Sequence, residues 1–303
     1  MPDKVGFVGL GTMGGPMCLN LVMKGFETTV YDVVDGAADP HLEAGARQGQ
    51  GLGDVARNSD VVFTMLPNSP DVEKVILGED GILANGREGM LLIDTSTIFP
   101  GTSIEVAKAL SERGIGFVDA AVGRTPMHAA EGKLMFMVGG SETDVARARP
   151  ILEAMGDTIH HCGSVGAGVQ TKLINNFLTM AQSALTSEAL ALAQKVGLDP
   201  EQTIGIMSDT MASNALMKFY FRAKVLGGDF DPGFAIRLAR KDLDLALQSG
   251  EHYDVAMKTG AAALSAFDAA IDAGNGDRDF SYLLVEACEA AGVETPRMDP
   301  LKE

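Results

Sequence analysis

The chain has no tryptophan and only three cysteines, and 24 lysines and arginines face 41 aspartates and glutamates across its 303 residues. Each scarcity excludes something. Cys18, Cys162 and Cys288 are odd in number and far apart, so they form neither a disulfide framework nor a metal-binding spacing, and reduced thiols are expected. His160-His161-Cys162 looks like a ligand cluster, but adjacent strand residues point to opposite faces and do not converge on one ion. A formal charge of −17 argues against a nucleic-acid partner, which needs a basic surface. No apolar run approaches the roughly 20 residues that span a bilayer, so no membrane partner is expected. The first strand-like segment starts at Val5, which leaves no room for a leader peptide and points to the cytoplasm. The shortage of cations also makes a demand: if the ligands are anionic, the few cations that matter must be gathered in one place.

What remains is a soluble globular composition, 46% hydrophobic and 21% charged, in a chain long enough for two domains. The first half alternates short apolar runs with amphipathic stretches, the pattern of a parallel α/β sheet. Strands are predicted at Val5-Val8, Thr28-Tyr31, Val61-Met65, Met90-Asp94, Phe117-Ala120, Leu134-Val138 and Thr158-Cys162. Helices are predicted between them, at Met13-Lys24, Thr102-Arg113 and Glu142-Met155. After Gly163-Ser164-Val165-Gly166 no strand is convincing. A proline-free helical pattern runs from Val169 to about Val196, and more helices follow around Pro200-Ser208, Phe234-Ser249, Val255-Ala273 and Phe280-Ala291. The expected architecture is an N-terminal, doubly wound Rossmann sheet over 1–164, then an all-helical domain over 165–294 entered through a long interdomain helix. The tail, 295–303, is expected to be loose.

Gly9-Leu10-Gly11-Thr12-Met13-Gly14 follows a strand and opens a helix whose apolar face is Met13, Met17 and Leu21. The next strand ends at Asp32, the spacing of a dinucleotide fingerprint. Gly9 permits the tight turn, Gly11 lets the backbone approach a pyrophosphate, and Gly14 lets helix and sheet pack closely. The helix N-terminus then stabilises phosphate charge. Asp32 accepts hydrogen bonds from ribose hydroxyls and repels a 2′-phosphate. Val33-Val34-Asp35-Gly36 supplies no cation to offset that repulsion, so NAD(H) is favoured over NADP(H).

On the long helix, Lys172, Asn175, Asn176, Thr179 and Ser183 share one face. A solvated face usually mixes Glu, Lys and Gln. This one carries a single cation followed by amides and hydroxyls, which favours a polar ligand cavity over solvent. A lysine beside a nicotinamide can protonate a carbonyl oxygen, or accept the proton in the reverse reaction.

Taken together, these segments resemble the β-hydroxyacid dehydrogenase family over nearly the whole chain. Phe7 to Gly14 is similar to its cofactor turn, and Met65-Leu66-Pro67-Asn68 to its loop along the cofactor. Asp94-Thr95-Ser96-Thr97 resembles its segment near the nicotinamide. Gly166-Ala167-Gly168 with Lys172 and Asn175-Asn176 resembles its catalytic signature, while Phe234 and Lys241-Asp242 resemble its C-terminal cofactor-closing residues. The resemblance implies that Lys172 is the acid/base and that Leu66, Pro67, Asn68, Ser96, Phe234 and Lys241 join the glycine turn in holding the cofactor. Asn175, Asn176 and Thr179 would contact substrate. Family members are dimers or tetramers, which implies a homo-oligomer. The related 6-phosphogluconate dehydrogenases carry a His beside the matching asparagine, where this chain has Asn175, and have a longer C-terminal domain.

One segment departs from the family pattern. After the last core strand most members read Asp-Ala-Pro-Val-Ser-Gly-Gly, with Ser-Gly-Gly on the substrate carboxylate. This chain reads Asp119-Ala120-Ala121-Val122-Gly123-Arg124-Thr125. Gly123-Arg124-Thr125 resembles the sulfolactaldehyde reductase branch, which implies a three-carbon aldehyde bearing a sulfonate. Arg124, the Thr125 hydroxyl and backbone N–H groups suit a tripod of oxygens. A planar carboxylate pairs equally well with Arg, so tartronate semialdehyde, succinate semialdehyde and 3-hydroxyisobutyrate stay open as substrates. A surface-loop role for Arg124 stays open too, and so does a non-catalytic NAD-binding redox sensor, although a sensor has no need of Lys172. His128 is expected to pack or cap locally.

Overall fold

Short runs of β-branched and aromatic residues become the central strands of one sheet. The computed structural model describes residues 3–299. Its strands are β1 (Val5–Val8), β2 (Thr28–Tyr31), β3 (Arg47–Gln48), β4 (Val61–Thr64), β5 (Leu91–Asp94), β6 (Gly116–Gly123), β7 (Leu134–Gly140) and β8 (Gly156–Gly163). They form one eight-stranded sheet in the order β3-β2-β1-β4-β5-β6-β7-β8. β1, β4 and β5 are buried along their whole length, as parallel strands covered on both faces must be. Alternation sends Val5 and Phe7 into one core layer and Val8 into the other. Phe7 stacks on Phe63 of the neighbouring strand, with ring centroids 5.7 Å apart.

The chain leaves β1 for the β2 side of the sheet and later resumes on the β4 side, so the strand order reverses between β1 and β4. Open α/β sheets place ligands outside the carboxyl ends of strands at such a reversal. The expected sheet is therefore present, with two differences: the edge strand β3 was not expected, and β7 runs antiparallel to β6, pairing Ala120 with Val138 and Gly123 with Met135. Residues 124–133 hold only the short helix Pro126–Ala130. A parallel return needs a crossover of about a dozen residues or more, so the chain doubles back instead.

Two compact units divide the chain, Met1–Lys172 and Leu173–Glu303. The sequence puts the boundary at 164, ahead of the long helix; the division falls inside that helix (Ala167–Lys195). Its first turn is bonded to the sheet: the β6 carboxylate of Asp119 accepts from Gly166 N at 2.6 Å and Val169 N at 2.8 Å. Gly168 has no room for a Cβ, which would lie 2.4 Å from the Met137 carbonyl oxygen.

No strand follows β8 among the described residues. The second unit is helical, with Pro200–Ser208, Ile236–His252, Lys258–Asp272 and Leu283–Ala291 around a core that includes Phe221, Leu243, Phe267 and Leu284. The tail departs from expectation in its described part. The Arg297 guanidinium donates to the Val225 carbonyl at 2.7 Å and lies over the Phe230 ring. Met298 N donates to Leu226 O at 3.0 Å. One basic and one apolar side chain give this short segment enough contacts to dock; residues 300–303 of the expected loose tail lie outside the described region.

Candidate active site

The glycine turn sits at the carboxyl end of β1, beside the reversal in strand order, and its three glycines do different jobs. Gly9 has φ +94°, and a Cβ there would lie 2.2 Å from the Met65 carbonyl oxygen; one on Gly14 would lie 1.9 Å from the Gly9 carbonyl oxygen. Those two are glycine because the protein's own backbone occupies the space. A Cβ on Gly11 would meet nothing within 4 Å, so the protein's own packing does not require glycine there and the backbone is open to an approaching ligand. The helix that follows, Gly14–Met23, has no side-chain cap and no acidic residue in its first turn. Its orphan N–H groups and positive end therefore suit an anion. An open, uncapped turn of this kind fits a dinucleotide pyrophosphate.

Asp32 closes the turn. Its Oδ2 accepts from Leu10 N at 2.6 Å and its Oδ1 from Val34 N at 2.8 Å. A carboxylate retains further lone pairs after those two bonds. Val33 and Val34, just beyond, are exposed and bring no positive charge.

The loops after β4 and β5 are joined through a single buried carboxylate. Asp94 Oδ1 accepts from Thr64 Oγ1 at 2.8 Å and from Ser96 Oγ at 2.6 Å. Ser96 Oγ in turn accepts from Leu66 N at 2.9 Å. The Asn68 side chain caps the helix Ser69–Leu77 by accepting from Asp71 N at 3.0 Å. Ser96 and Asn68, singled out in the sequence as cofactor contacts, thus also shape the loop that would meet a cofactor. Asp94 Oδ2 is buried with no hydrogen-bond partner. Burial, only partly offset by the bonds from Ser96 and Thr64, pushes the Asp94 carboxyl up to about 6, and neighbouring Asp119 adds to the rise.

Asp119 faces Asp94 in the β5–β6 register, and burial raises its carboxyl as well, against the bonds from Gly166 and Val169. Its grip on the start of the long helix fixes where Lys172, half-buried at the end of the first unit, stands relative to the sheet.

The loop after β6, expected from the sequence to meet the substrate, carries internal bonds of its own. Arg124 has φ +75°, the left-handed region, and its guanidinium is already engaged. It donates to Asp157 Oδ1 at 2.8 Å, to Thr158 Oγ1 at 3.3 Å and to the Lys133 carbonyl. This pair holds the Asp157 carboxyl below its usual range, chiefly through the hydrogen bond from Arg124. Thr125 Oγ1 is bonded to His128 Nδ1 at 2.8 Å, which gives His128 the local role expected of it.

In the second unit the polar stripe divides. Asn175 Nδ2 donates to Asn176 Oδ1 at 3.1 Å, and Asn176 Nδ2 donates to buried Asp242 Oδ2 at 2.7 Å. Lys241 Nζ lies 3.3 Å from Asp242 Oδ1. Two adjacent pairs, 66 residues apart in sequence, thus form one chain of amides and charges, its polarity set by the acceptor-only carboxylate. Thr179 Oγ1 donates back to the Asn175 carbonyl, and Ser183 is sealed in the core, bonded to the Phe280 carbonyl. Ser183 therefore lies outside any polar cavity, because the helix face it shares turns into the bundle there. Phe234 N donates to Asp279 Oδ2 at 3.3 Å, and its ring packs edge-on against Phe280. Sequence reasoning gave no role to Asp94, Asp119, Asp157 or Asp279 beyond motif membership. For Asp94 and Asp119 the available signal was an acidic residue inside or ending an apolar strand, which must find donors if buried; Asp157 and Asp279 carried no such signal.

A doubly wound sheet, an open glycine turn at its switch point and a lysine on an anchored helix define a dinucleotide-dependent oxidoreductase. A family model described as the NAD binding domain of 6-phosphogluconate dehydrogenase matches residues 4–163. A second, described as NAD-binding of NADP-dependent 3-hydroxyisobutyrate dehydrogenase, matches residues 166–286. The chain is 36% identical over 289 residues to 3-sulfolactaldehyde reductase of Escherichia coli, spanning 95% of this chain and 97% of that one. It is 38% identical over 288 residues to 3-hydroxyisobutyrate dehydrogenase of Pseudomonas aeruginosa, spanning 92% and 96%. The solved structure of Mycobacterium tuberculosis 3-hydroxyisobutyrate dehydrogenase with L-serine matches at a TM-score of 0.87 and 32% identity, covering 94% of this chain and 99% of that one. The chain belongs to the β-hydroxyacid dehydrogenase family and carries its NAD(P)-binding domain.

Two outcomes follow from the site's geometry. Gly11→Ala should fold with an unchanged melting temperature yet lose dinucleotide affinity by about tenfold or more, whereas Gly14→Ala should lower the melting temperature; calorimetry and a nucleotide titration separate the two. For Asp94, the folded protein binds the proton more tightly than the unfolded chain, whose carboxyl titrates near 4. Its contribution to stability is therefore full below about pH 4 and lost as pH rises through about 6, by about 3 kcal/mol in all. Denaturant unfolding should show Asp94→Asn gaining on the wild type between those pH values; a flat difference would contradict the assignment.

Proposed function

We propose that the protein is an NADH-dependent reductase of a short anionic semialdehyde, working reversibly, with 3-sulfolactaldehyde reduced to 2,3-dihydroxypropane-1-sulfonate as the preferred reaction. The observation that carries the redox half is the bare, open Gly11 at an uncapped helix N-terminus. The substrate half is supported by Arg124 in the loop after β6 and by similarity to a 3-sulfolactaldehyde reductase along 95% of the chain.

In this reading Gly9, Leu10, Gly11, Thr12, Met13 and Gly14 cradle the pyrophosphate, and Asp32 holds the ribose hydroxyls. Leu66, Pro67, Asn68 and Ser96 line the cofactor, and Phe234 and Lys241 close over it. Asp32 and the cation-free Val33-Val34-Asp35-Gly36 that follow it favour NAD(H) over NADP(H). A bound dinucleotide supplies hydride to the aldehyde carbon. Lys172 Nζ donates the proton to the aldehyde oxygen, and takes it back from the alcohol in the reverse direction. Asn176 is held by Asp242 with its oxygen turned to Asn175. That bond leaves the Asn175 oxygen as an acceptor for a substrate hydroxyl, with Thr179 beside it on the helix. Gly123, Arg124 and Thr125 take the substrate anion. A carboxylate substrate such as tartronate semialdehyde, succinate semialdehyde or 3-hydroxyisobutyrate is the second reading. It is favoured by the engagement of Arg124 with Asp157 and by the 3-hydroxyisobutyrate dehydrogenase relatives.

We place the protein in the cytoplasm, in keeping with three free thiols and the absence of a membrane-length apolar helix among the described residues. A homodimer or homotetramer is expected. The long helix exposes more than half of Ile174, Leu178, Leu185 and Leu192, whose spacings of four and seven put them on one stripe, an area better covered by another subunit than by water.

The test is NADH oxidation with purified protein across small aldehydes, comparing kcat/KM on 3-sulfolactaldehyde and on matched carboxylates. Lys172→Ala should cut turnover by about a thousandfold or more while NADH binding, followed by its fluorescence, stays near the wild-type value. Surviving turnover would remove Lys172 from the acid role, and a lower KM for NADPH than for NADH would overturn the cofactor preference.

A further inference from the structure

We propose that Asp157 tunes substrate specificity by holding the Arg124 guanidinium in an internal ion pair that the substrate's anionic group must displace. The inference rests on the reading of Arg124 as the anion-binding cation and adds to it a residue that competes for the same donors.

Arg124 follows β6 in a left-handed backbone conformation, one that glycine adopts without strain and a Cβ-bearing residue does not. What Arg124 contributes at that position therefore comes from its guanidinium. That fork is rigid and planar, so the hydrogens turned onto internal partners are not aimed at a substrate, and only Nε–H and the second Nη2 hydrogen are left over. In this structure the internal partners lie at the sheet edge: Nη1 donates to Asp157 Oδ1 at 2.8 Å and to the Lys133 carbonyl, Nη2 to Thr158 Oγ1 at 3.3 Å. Thr158 Oγ1 itself donates to Asp157 Oδ1 at 2.7 Å, which keeps the carboxylate turned toward Arg124. β8 is the last strand of the sheet, so the pair stands in solvent, with a third of the Arg124 side chain and half of the Asp157 side chain exposed. Solvent-exposed pairs of this kind are weak and screened by salt. A substrate oxyanion can take the guanidinium from Asp157 easily, whereas a neutral aldehyde has no means of doing so and no reason to need it. Asp157 thus acts as a standing competitor: it lowers the affinity for every anionic substrate by the strength of the pair and leaves neutral ones untouched. It touches no reacting atom, so it is a positioning residue that works through Arg124.

The experiment compares wild type, Asp157→Asn and Arg124→Gly, with Asp157→Ser as a second variant that keeps a small polar side chain. Steady-state NADH kinetics are measured with glyceraldehyde, which is neutral, and with whichever of 3-sulfolactaldehyde and succinate semialdehyde turns over better. Asp157→Asn and Asp157→Ser should lower KM for the anionic aldehyde by about two- to five-fold, with kcat and the glyceraldehyde KM unchanged. The gap from wild type should shrink in high salt as the pair is screened. Arg124→Gly should raise the anionic KM alone. If Arg124→Gly does so while the Asp157 variants leave the anionic KM unchanged or raise it, Asp157 is a brace for the loop and the proposal is overturned, with Arg124's role intact. If Arg124→Gly moves both aldehydes equally, the anion-binding reading fails and this inference fails with it.

Discussion

The bond between Asp119 and the first turn of the long helix is the constraint on which the rest depends. The carboxylate stands in the middle of a buried strand and accepts from two backbone N–H groups that the helix could not satisfy by itself. It also lies at the positive end of the longest helix among the described residues. Without a bare Gly168 the approach would be blocked by the Met137 carbonyl. Through this one junction the sheet, which carries the dinucleotide turn, fixes the position of Lys172, the residue proposed as the proton donor. A loose junction would leave both groups intact and misplaced, and catalytic groups tolerate little misplacement.

A very acidic chain meets that constraint by giving its carboxylates N–H and O–H donors. Asp32 braces Leu10, Asp94 ties the loops after β4 and β5, Asp119 anchors the helix, and Asp279 collects Tyr220, Gly233 and Ser281. Burial alone would penalise each charge; hydrogen bonds to N–H and O–H groups offset it to different degrees. Asp94 keeps one oxygen unpartnered, and burial pushes its carboxyl up to about 6. The same acidity leaves few cations for ligands, so the position of each one matters. Lys241 lies beside Asp242, and Arg124 beside Asp157.

Much of this was legible in the sequence. Seven of the strands, the long helix and the absence of later strands follow from apolar periodicity and from glycine and proline punctuation. The glycine turn was recognisable because its chemistry is local: three glycines, a strand before, a helix after and an aspartate at the next strand end. The two-residue strand β3 (Arg47–Gln48) was not legible, being too short to show a period. Neither was the reversed direction of β7, which depends on the length of the connection before it rather than on β7 itself.

The sequence alone determined the class of fold and the dinucleotide turn, because hydrophobic period and backbone freedom are properties of neighbouring residues. Only the tertiary structure decided what each polar side chain touches. It joined Asn176 to Asp242 across 66 positions, sealed Ser183 in the core, and turned Arg124 onto Asp157 of an edge strand. Those partners are set by which strands lie side by side and which face a helix buries. A side chain's chemistry is written at its own position; its partner is chosen by the packing of the whole domain.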